Sequence, residues 1–233
     1  MSSSGKPLLS VLIPTLEARR DQCARLCSEL ERQAEQAGAT HAVEILTLPD
    51  DGKARVGAKR NTLVARAAGR FVAFVDDDDT LSDHYLDRLL SAIRTNPNVD
   101  CVCFPAEIRF RGRHPRRLEH SIAYHDWRHE DGRYLRPPCH LMPIRREIAL
   151  RYPFPEIDYG EDMDWTLRIS RDGALRDEAK IDEVLYTYNS RRSYALQWLL
   201  DRTQTIRHAL GLRFVSGIAL RRRLRGGKRV RDA

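Results

Sequence analysis

Apolar residues in the first half of the chain fall into two alternating patterns. Four short, mostly apolar runs predict buried strands: residues 8–13, "AVEILTLP", "RFVAFV" and "DCVCFP". Between them, apolar residues recur three and four positions apart, which predicts three helices: residues 18–37, "AKRNTLVARAAG" and residues 82–95. Strands that alternate with helices in this order indicate a parallel α/β sheet, because parallel neighbours need crossover connections.

The second half of the chain is less regular. Residues 107–134 alternate irregularly, which is typical of loops with antiparallel strands. Shorter patterns predict helices over 145–151 and 161–171 and a strand over 181–188. From Tyr194 onward the pattern is helical and then turns basic. We therefore expect an α/β fold with a mostly parallel sheet, helices on both faces, a distinct C-terminal region and a helical tail.

Composition indicates a globular chain with a basic surface. Apolar residues make up 42% of the 233 residues, enough for a core, and no run is long enough to predict a membrane-spanning helix. The first residues lack the apolar segment of a secretion signal, and five cysteines without C-x-x-C spacing favour reduced thiols in the cytoplasm. A net charge of +7 favours polyanionic partners.

Four consecutive aspartates, Asp76 to Asp79, follow the third predicted strand directly. Ligands of open α/β sheets bind beyond the carboxyl ends of the strands, which is where these acids lie. Alternation along the chain directs Asp76 and Asp78 one way and their neighbours another. Clustered carboxylates suit Mg²⁺ or Mn²⁺, whereas an acidic helix start would account for only one or two of the four.

A second acidic cluster, "YGEDMDW", opens the helix predicted over 161–171. Such acids are unremarkable at a helix N-terminus. Beside a metal–diphosphate site, however, a partly buried carboxylate there could act as a general base and take a proton from an acceptor hydroxyl. The two clusters are informative as a pair, because each alone has a simple structural explanation.

Several segments, taken in order, resemble family 2 glycosyltransferases of the GT-A fold: "VLIPTLEAR", "GAKRNTLVARAAGRFVAFVDDDDTLSDHYL", "YGEDMDW" and "LYTYNSRRS". "FVDDDD" resembles that family's D-x-D segment and "GEDMDW" its E-D segment. The resemblance implies inverting transfer of a sugar from a nucleotide-diphosphate donor, with UDP-sugars favoured. It also implies a catalytic domain over 1–193, with a donor half (8–105) and an acceptor half (106–193), and an extension over 194–233.

The resemblance also implies roles for individual residues. The nucleotide-sugar site would be lined by Thr15, Glu17, Asp50, Asp51, Lys59, Asp76 and Asp77. Asp78 would hold Mn²⁺ or Mg²⁺ on the diphosphate. Asp162 would be the base, with Glu161 beside it. A metal ion there would stabilise the charge of the leaving diphosphate as a Lewis acid.

Four further residues are candidates for contact with the acceptor or the diphosphate: His140, Trp165, Arg191 and Arg192. Where family members often have a histidine in the segment that matches "YNSRRS", this chain has arginines, which favours diphosphate contact over metal ligation. Each candidate has a simpler alternative. His140 and Trp165 are also consistent with packed core residues, and the arginines with a solvated turn.

The basic residues concentrate in residues 109–117 and 221–231. Such runs are usually solvated, but they also suit phosphate-rich nucleic acid or an anionic membrane leaflet. The acceptor hypotheses are therefore a bacterial surface glycan or lipid-linked saccharide reached at the inner membrane, and DNA with hydroxylated bases in a phage system. Rival hypotheses are a non-catalytic nucleic-acid-binding protein and a metal-dependent phosphohydrolase.

Overall fold

The computed structural model describes residues 5–130 and 132–190. Its strands are β1 (Leu9–Pro14), β2 (Val43–Leu48), β3 (Phe71–Phe74), β4 (Thr80–Leu81), β5 (Cys101–Cys103), β6 (Ala106–Phe110), β7 (Arg113–His120), β8 (Arg128–Glu130), β9 (Arg133–Arg136), β10 (Ile144–Arg145), β11 (Glu178–Lys180) and β12 (Tyr186–Ser190). Its α-helices are α1 (Arg20–Gln36), α2 (Val56–Arg66), α3 (Tyr85–Thr95), α4 (Arg146–Arg151) and α5 (Glu161–Arg171). The predicted extension over 194–233, with its basic tail, lies outside the described residues.

The first sheet has the strand order β11-β5-β10-β3-β1-β2. Strand β1 pairs in parallel with β2 and β3, and β11 pairs in parallel with β5. Strand β10 runs antiparallel between β3 and β5. The sheet is therefore mostly parallel, as predicted. The reversed strand has only two residues, too few to leave a periodic signal in the sequence.

Helices cover both faces of this sheet, so alternate residues of each buried strand enter different cores. On one face, Val11 and Phe71 pack with α1 and α3, which contribute Leu30 and Leu89. On the other face, strand residues such as Leu12, Val72 and Phe74 pack with the apolar residues of α2, α4 and α5. Burial on both faces explains why the strands appear in the sequence as continuous apolar runs.

The second sheet has the strand order β4-β12-β6-β7-β9-β8. It contains the antiparallel hairpins expected after residue 106, β6 with β7 and β8 with β9. The strand predicted over 181–188 is confirmed only over its last three residues, which begin β12, and residues 181–185 are not in a strand. The chain forms β11 in the first sheet, crosses the charged residues Asp182 and Glu183, and re-forms as β12 in the second sheet.

Within residues 5–130 and 132–190, no helix combines the length and apolar character that crossing a membrane requires. All five cysteines are free thiols, and four of them are buried.

His120, at the end of β7, is a buried neutral histidine. Its Nδ1 lies 3.2 Å from the carbonyl oxygen of Phe104, so Nδ1–H donates there and Nε2, 3.6 Å from the Cys139 sulfur, accepts from the thiol. Burial, together with the nearby Arg136 cation, lowers the pKa of His120 to about 3. Burial also raises the pKa of Cys139 to about 11, so this thiol is not an activated nucleophile.

The depressed pKa of His120 predicts an acid-sensitive fold. Because the folded pKa lies below the unfolded value of about 6.5, the stabilisation is complete above pH 6.5 and is lost progressively as pH falls toward 3. Between pH 7.5 and 5.0 this histidine should lower the free energy of unfolding by about 2 kcal/mol. Urea unfolding at both pH values measures the loss.

The matched variant is His120→Asn, whose amide can still donate to Phe104 but does not titrate in this range. Between the two pH values we expect the free energy of unfolding to fall by about 2 kcal/mol less in the variant than in the parent. An equal change in parent and variant would contradict a buried neutral His120.

Candidate functional site

Asp76 to Asp79 form the turn that leaves the carboxyl end of β3. The Asp79 N–H donates to the Asp76 carbonyl at 3.2 Å, and the chain then enters β4 before α3 begins. The four carboxylates do not share one environment. Each carboxylate is paired with a different set of hydrogen-bond donors or cations. This explains why four adjacent acids are tolerated at the end of a buried strand.

Asp76 is joined to the second acidic cluster by the buried Arg60 of α2. Arg60 Nη2 lies 3.1 Å from Asp76 Oδ1, and Arg60 Nε lies 3.3 Å from Glu161 Oε1. Burial opposes ionisation of Asp76, but Arg60 and His140 outweigh it and hold the pKa of Asp76 well below its usual range. Burial likewise opposes the charge of Arg60, yet attraction to Asp76, Glu161 and Asp162 leaves its pKa raised.

Asp77 is almost completely buried and faces the end of β1. It accepts hydrogen bonds from the Thr15 hydroxyl and from Arg19 Nη1, the latter at 2.7 Å. The same Arg19 nitrogen lies 3.3 Å from Asp78 Oδ2, whose side chain is about one-third exposed. Arg19 therefore compensates two adjacent acids, and Asp78 is the one that faces outward.

Asp79 is held by β12. The Tyr186 hydroxyl donates to Asp79 Oδ2 at 2.6 Å, and the Asn189 N–H donates to Oδ1 at 2.8 Å. Burial raises the pKa of Asp79 to about 7 despite these bonds, with repulsion from Asp76 and Asp78 acting in the same direction. The Asn189 side-chain amide also donates to the Asp78 carbonyl at 3.0 Å, so β12 fixes the whole acidic turn.

Lys59 lies one residue before Arg60 and points to the opposite end of the predicted nucleotide site. Its buried ammonium donates to the Thr15 carbonyl and pairs with Asp50. Asp50 also accepts backbone N–H bonds from Gly52 and Ala54, each at 2.9 Å. Thr15, Asp50 and Lys59 thus form one hydrogen-bonded group at the ends of β1 and β2.

Glu17 and Asp51 lie at the edge of this group. Glu17 pairs with Arg20 at 2.5 Å, and Asp51 pairs with Lys53. Both acids are largely exposed. The Glu17 N–H nevertheless donates to the Asp50 carbonyl at 2.8 Å, which keeps the two segments side by side.

The second cluster begins at Gly160, whose φ of 85° is the left-handed conformation that glycine adopts readily. Helix α5 then starts with Glu161 and Asp162. Glu161 is buried against Arg60, whereas the Asp162 side chain is 35% exposed. Asp162 is therefore the more accessible acid of this pair.

His140 lies between the two clusters. Its Nε2 is 3.9 Å from Asp76 Oδ2, and its Nδ1 is 3.9 Å from Asp162 Oδ2. Together with the Arg60 pairs, these distances place the two acidic clusters in one cleft, although Asp76 and Asp162 are far apart in sequence. The structure thus brings together the residues proposed for donor binding and for proton removal.

The segment before α5 is docked tightly on α2. A Cβ atom on Gly57 would lie 1.9 Å from the Pro155 carbonyl oxygen, so no side chain fits there without displacement. Asn61 donates to the Phe154 carbonyl at 2.9 Å and accepts from the Phe154 N–H at 2.7 Å. These contacts fix the approach of Glu161 and Asp162 to Arg60.

The suggestion that Trp165 contacts the acceptor is wrong. Its side chain is 1% exposed and stacks on Phe154 with ring centroids 4.6 Å apart. Its Nε1–H donates to the Tyr152 carbonyl at 2.5 Å. Trp165 faces the core side of α5, away from solvent, so a sugar cannot reach its ring. Arg191 and Arg192 lie outside the described residues.

Comparison with known proteins agrees with this arrangement. Residues 21–152, more than half of the chain, match the family described as Glycosyl transferase family 2. The chain belongs to glycosyl transferase family 2. The prediction of this family from the D-x-D and E-D segments is therefore confirmed. No curated protein matched the chain.

The family 2 chain is also similar in fold to structures of TarS from S. aureus. One TarS structure superposes with a TM-score of 0.54 at 15% identity, covering 78% of this chain and 36% of TarS. TarS 1-349 in complex with UDP-GlcNAc gives a TM-score of 0.53 at 17% identity, covering 81% of this chain and 60% of that one. TarS 1-349 in complex with UDP gives a TM-score of 0.53 at 17% identity.

These likenesses show the fold, and the expected GT-A architecture is confirmed. The chain spans only 36% to 60% of the length of these TarS chains. They therefore leave the activity of this family 2 protein to be argued from its own residues.

The described residues of this family 2 protein contain no ready-made cluster of three His, Cys, Asp or Glu ligands. Mg²⁺, however, commonly uses one or two protein carboxylates and completes its octahedron with water and phosphate oxygens. The outward-facing carboxylate of Asp78, about one-third exposed, fits that kind of site. The donor set is therefore suited to an ion that binds together with a diphosphate rather than to a protein cage.

Sequence reasoning missed the groups that hold the acids in place: Arg19, Arg60, Tyr186 and Asn189. The sequence does contain a sign of the role of Arg60. Two adjacent basic residues, Lys59 and Arg60, lie on the buried face of α2, whose other residues are apolar or small. Buried Lys and Arg are rare unless they are paired, so their position already predicts buried acidic partners. The sequence cannot say which acids those are.

The basic strip over residues 109–117 lies on β6, β7 and their connecting turn. Part of its charge is neutralised within the strands, since Arg109 Nε donates to Glu107 and Arg117 Nε donates to Glu119, each at 2.5 Å. The Arg111 N–H donates to the Ser190 carbonyl at 2.8 Å. The same turn borders a surface pocket of about 400 Å³, which is lined by Asp78, Arg111, Gly112, Asn189 and Ser190.

Proposed function

We propose that this protein is an inverting glycosyltransferase that moves a sugar from a nucleotide-diphosphate donor to an acceptor hydroxyl. The observation that carries the proposal is the approach of the two acidic clusters to one another: Arg60 pairs with Asp76 and Glu161, and His140 lies between Asp76 and Asp162. One end of this cleft offers hydrogen-bonding groups for a nucleotide. The other end offers an accessible carboxylate for proton removal.

The donor end supports recognition of a nucleoside diphosphate. Thr15, Asp50 and Lys59 are fixed at the carboxyl ends of β1 and β2, where α/β sheets bind nucleotides. Asp76, ionised beside Arg60, is available as an acceptor for ribose hydroxyls. The TarS structures with UDP and UDP-GlcNAc favour a uridine donor for this related fold.

Asp78 is the residue that would hold Mn²⁺ or Mg²⁺. Such an ion supplies Lewis-acid stabilisation to the diphosphate as it leaves. Arg19, within 3.3 Å of Asp78, adds a fixed cation on the same side. Asp76 and Asp77 are already engaged by Arg60 and by Thr15 with Arg19, which leaves Asp78 as the carboxylate most suited to this role.

Asp162 is the proposed general base. It accepts the proton of the acceptor hydroxyl while the hydroxyl oxygen bonds to the anomeric carbon and the carbon–oxygen bond to the diphosphate breaks. Attack from the face opposite the leaving group inverts the anomeric centre, so a single base is sufficient. Its exposure of 35% and its position across the cleft from Asp76 support this assignment.

For the acceptor we favour a surface glycan or a lipid-linked saccharide over DNA with hydroxylated bases. Local pairing of Arg109 with Glu107 and of Arg117 with Glu119 reduces the charge that the described strip offers to a phosphate backbone. Mass spectrometry of surface glycans and of DNA from cells with and without the gene separates the two. A hexose increment on DNA alone would overturn our preference.

The donor is tested with a panel of UDP-, GDP- and TDP-sugars in the presence of Mn²⁺. Calorimetry measures binding, and release of the nucleoside diphosphate measures slow hydrolysis with water as the acceptor. We expect one donor class to bind and to be hydrolysed. Absence of both would overturn the transferase proposal and leave a nucleic-acid-binding protein. Phosphate release from simple esters would instead indicate a phosphohydrolase.

Asp78→Asn tests the metal ligand. Because an amide is a poor ligand for Mg²⁺ or Mn²⁺, we expect donor affinity with Mn²⁺ to fall to the level that the parent shows with a chelator. Calorimetry with and without Mn²⁺ gives both values. Asp83→Asn is the matched control, since Asp83 is 86% exposed and lies outside the acidic turn. Metal-dependent binding that survives in Asp78→Asn would move the ligand role to another residue.

A further inference from the structure

His140 is a buried histidine whose ring has no hydrogen-bond partner. Its side chain is 8% exposed, and neither Nδ1 nor Nε2 is within hydrogen-bonding distance of a polar atom. A buried polar group left unpaired costs about 1–3 kcal/mol, so such groups are rare. An unpaired ring between two carboxylates of a cleft indicates that its partner bond forms in another state of the site.

The backbone holds this ring firmly in place. The His140 carbonyl accepts from the Phe74 N–H at 2.9 Å, which ties it to the end of β3. The preceding residue, Cys139, is buried against His120, and its carbonyl accepts from the Met142 N–H at 2.9 Å. The imidazole therefore has a fixed origin, whereas the two acids beside it are more exposed.

The ring has a defined orientation between these acids. Nδ1 faces Asp162, and Nε2 faces Asp76, each at 3.9 Å. A hydrogen bond requires about 2.8–3.0 Å, so a movement of about 1 Å by the Asp162 carboxylate would complete it. Asp162 is free to make that movement because its side chain is 35% exposed at the start of α5.

We propose that His140 is a positioning residue for Asp162. Its Nδ1–H donates to Asp162 when the donor occupies the cleft and fixes the carboxylate for proton removal from the acceptor. The inference rests on the proposed function. It adds that the alignment of the base depends on the loop between β9 and β10, which is anchored to the donor side of the cleft by Phe74.

Three substitutions separate the two ring nitrogens. Asn at position 140 places an amide N–H near the position of Nδ1 and keeps a donor for Asp162. His140→Gln places the amide N–H near the position of Nε2, toward Asp76. Phe keeps the ring and removes both donors. If His140 acts by packing alone, Phe should be tolerated best. If it acts through Nδ1, Asn should be tolerated best.

The measured reaction is hydrolysis of the bound nucleotide sugar with Mn²⁺, which needs no knowledge of the natural acceptor. We expect His140→Phe and His140→Gln to lower kcat by about 10²-fold, the effect of misplacing a reacting group by about 1 Å. His140→Asn should recover at least tenfold of that loss. Donor dissociation constants from calorimetry should change less than about twofold in all three variants.

The deciding comparison is with Asp162→Asn. If His140 acts through Asp162, the double variant His140→Phe/Asp162→Asn should be no slower than Asp162→Asn alone. If the reductions in kcat of the two single variants multiply in the double variant, the inference is overturned. Equal rates for the parent and His140→Phe would overturn it as well. A parent that neither binds nor hydrolyses any donor would overturn the proposed function itself. Thermal unfolding of each variant shows whether a lost rate reflects a lost fold.

Discussion

Asp162→Asn is expected to lower the rate of sugar transfer by a factor of about 10² or more while donor binding stays nearly unchanged. The amide has the shape of the carboxylate but cannot accept a proton at neutral pH. Because Arg60 pairs with Asp76 at 3.1 Å and with Glu161 at 3.3 Å, and neither distance involves Asp162, the donor end should keep its geometry. Initial rates of nucleoside diphosphate release and calorimetric titration of the donor measure the two properties separately.

The matched control is Asp164→Asn on the same turn of α5. Asp164 pairs with Arg168 at 2.6 Å and is 51% exposed, so its removal should leave both rate and donor affinity close to those of the parent. A similar loss of rate in both variants would indicate an effect of charge on the helix start. An undiminished rate in Asp162→Asn would assign the base to another residue.

Arg60→Met is expected to destabilise the protein by about 3–5 kcal/mol. Methionine fills much of the same space, but the substitution leaves Asp76 and the buried Glu161 without their shared cation. Breaking a buried ion pair from one side is more damaging than removing the whole pair, because an uncompensated charge remains. Urea unfolding at neutral pH measures the loss, and thermal unfolding should show a melting temperature lower by about 10 °C.

A second substitution tests the cause. Adding Glu161→Gln to Arg60→Met removes one of the unpaired charges and should recover part of the lost stability. Arg88→Met is the surface control, since Arg88 pairs with Glu183 in exposed positions and should contribute little. If Arg60→Met were no more damaging than Arg88→Met, the central role given to Arg60 in joining the clusters would be wrong.

The sequence predicted most of the first sheet because local patterns determine it. Helix α5 has the predicted bounds, 161–171, and the four parallel runs appear where their apolar residues indicated. Strand β10 was missed because two residues carry no period, and β11 was missed because its pairing with β5 depends on contacts more than 70 residues apart. Local pattern alone could not show that the chain leaves one sheet at Lys180 and enters the other at Tyr186.

The acids of the site were predicted and their partners were not. Runs such as Asp76 to Asp79 are visible in a sequence because they oppose ordinary folding preferences. Partners such as Arg60, 101 positions from Glu161, are chosen by tertiary packing and leave only a weak local sign. Trp165 illustrates the opposite error, since its position beside the acids suggested the cleft, while the helix turn directs its ring into the core.

Helix α2 has a consequence for how much length variation the chain tolerates. Successive residues on a helix point about 100° apart, so Lys59 and Arg60 reach the two ends of the cleft from adjacent positions. With Gly57 pressed against Pro155, the helix can neither slide nor rotate to compensate for an added residue. An insertion between Gly57 and Lys59 would turn both cations away together, whereas the hairpin loops of the second sheet can change length without disturbing that alignment.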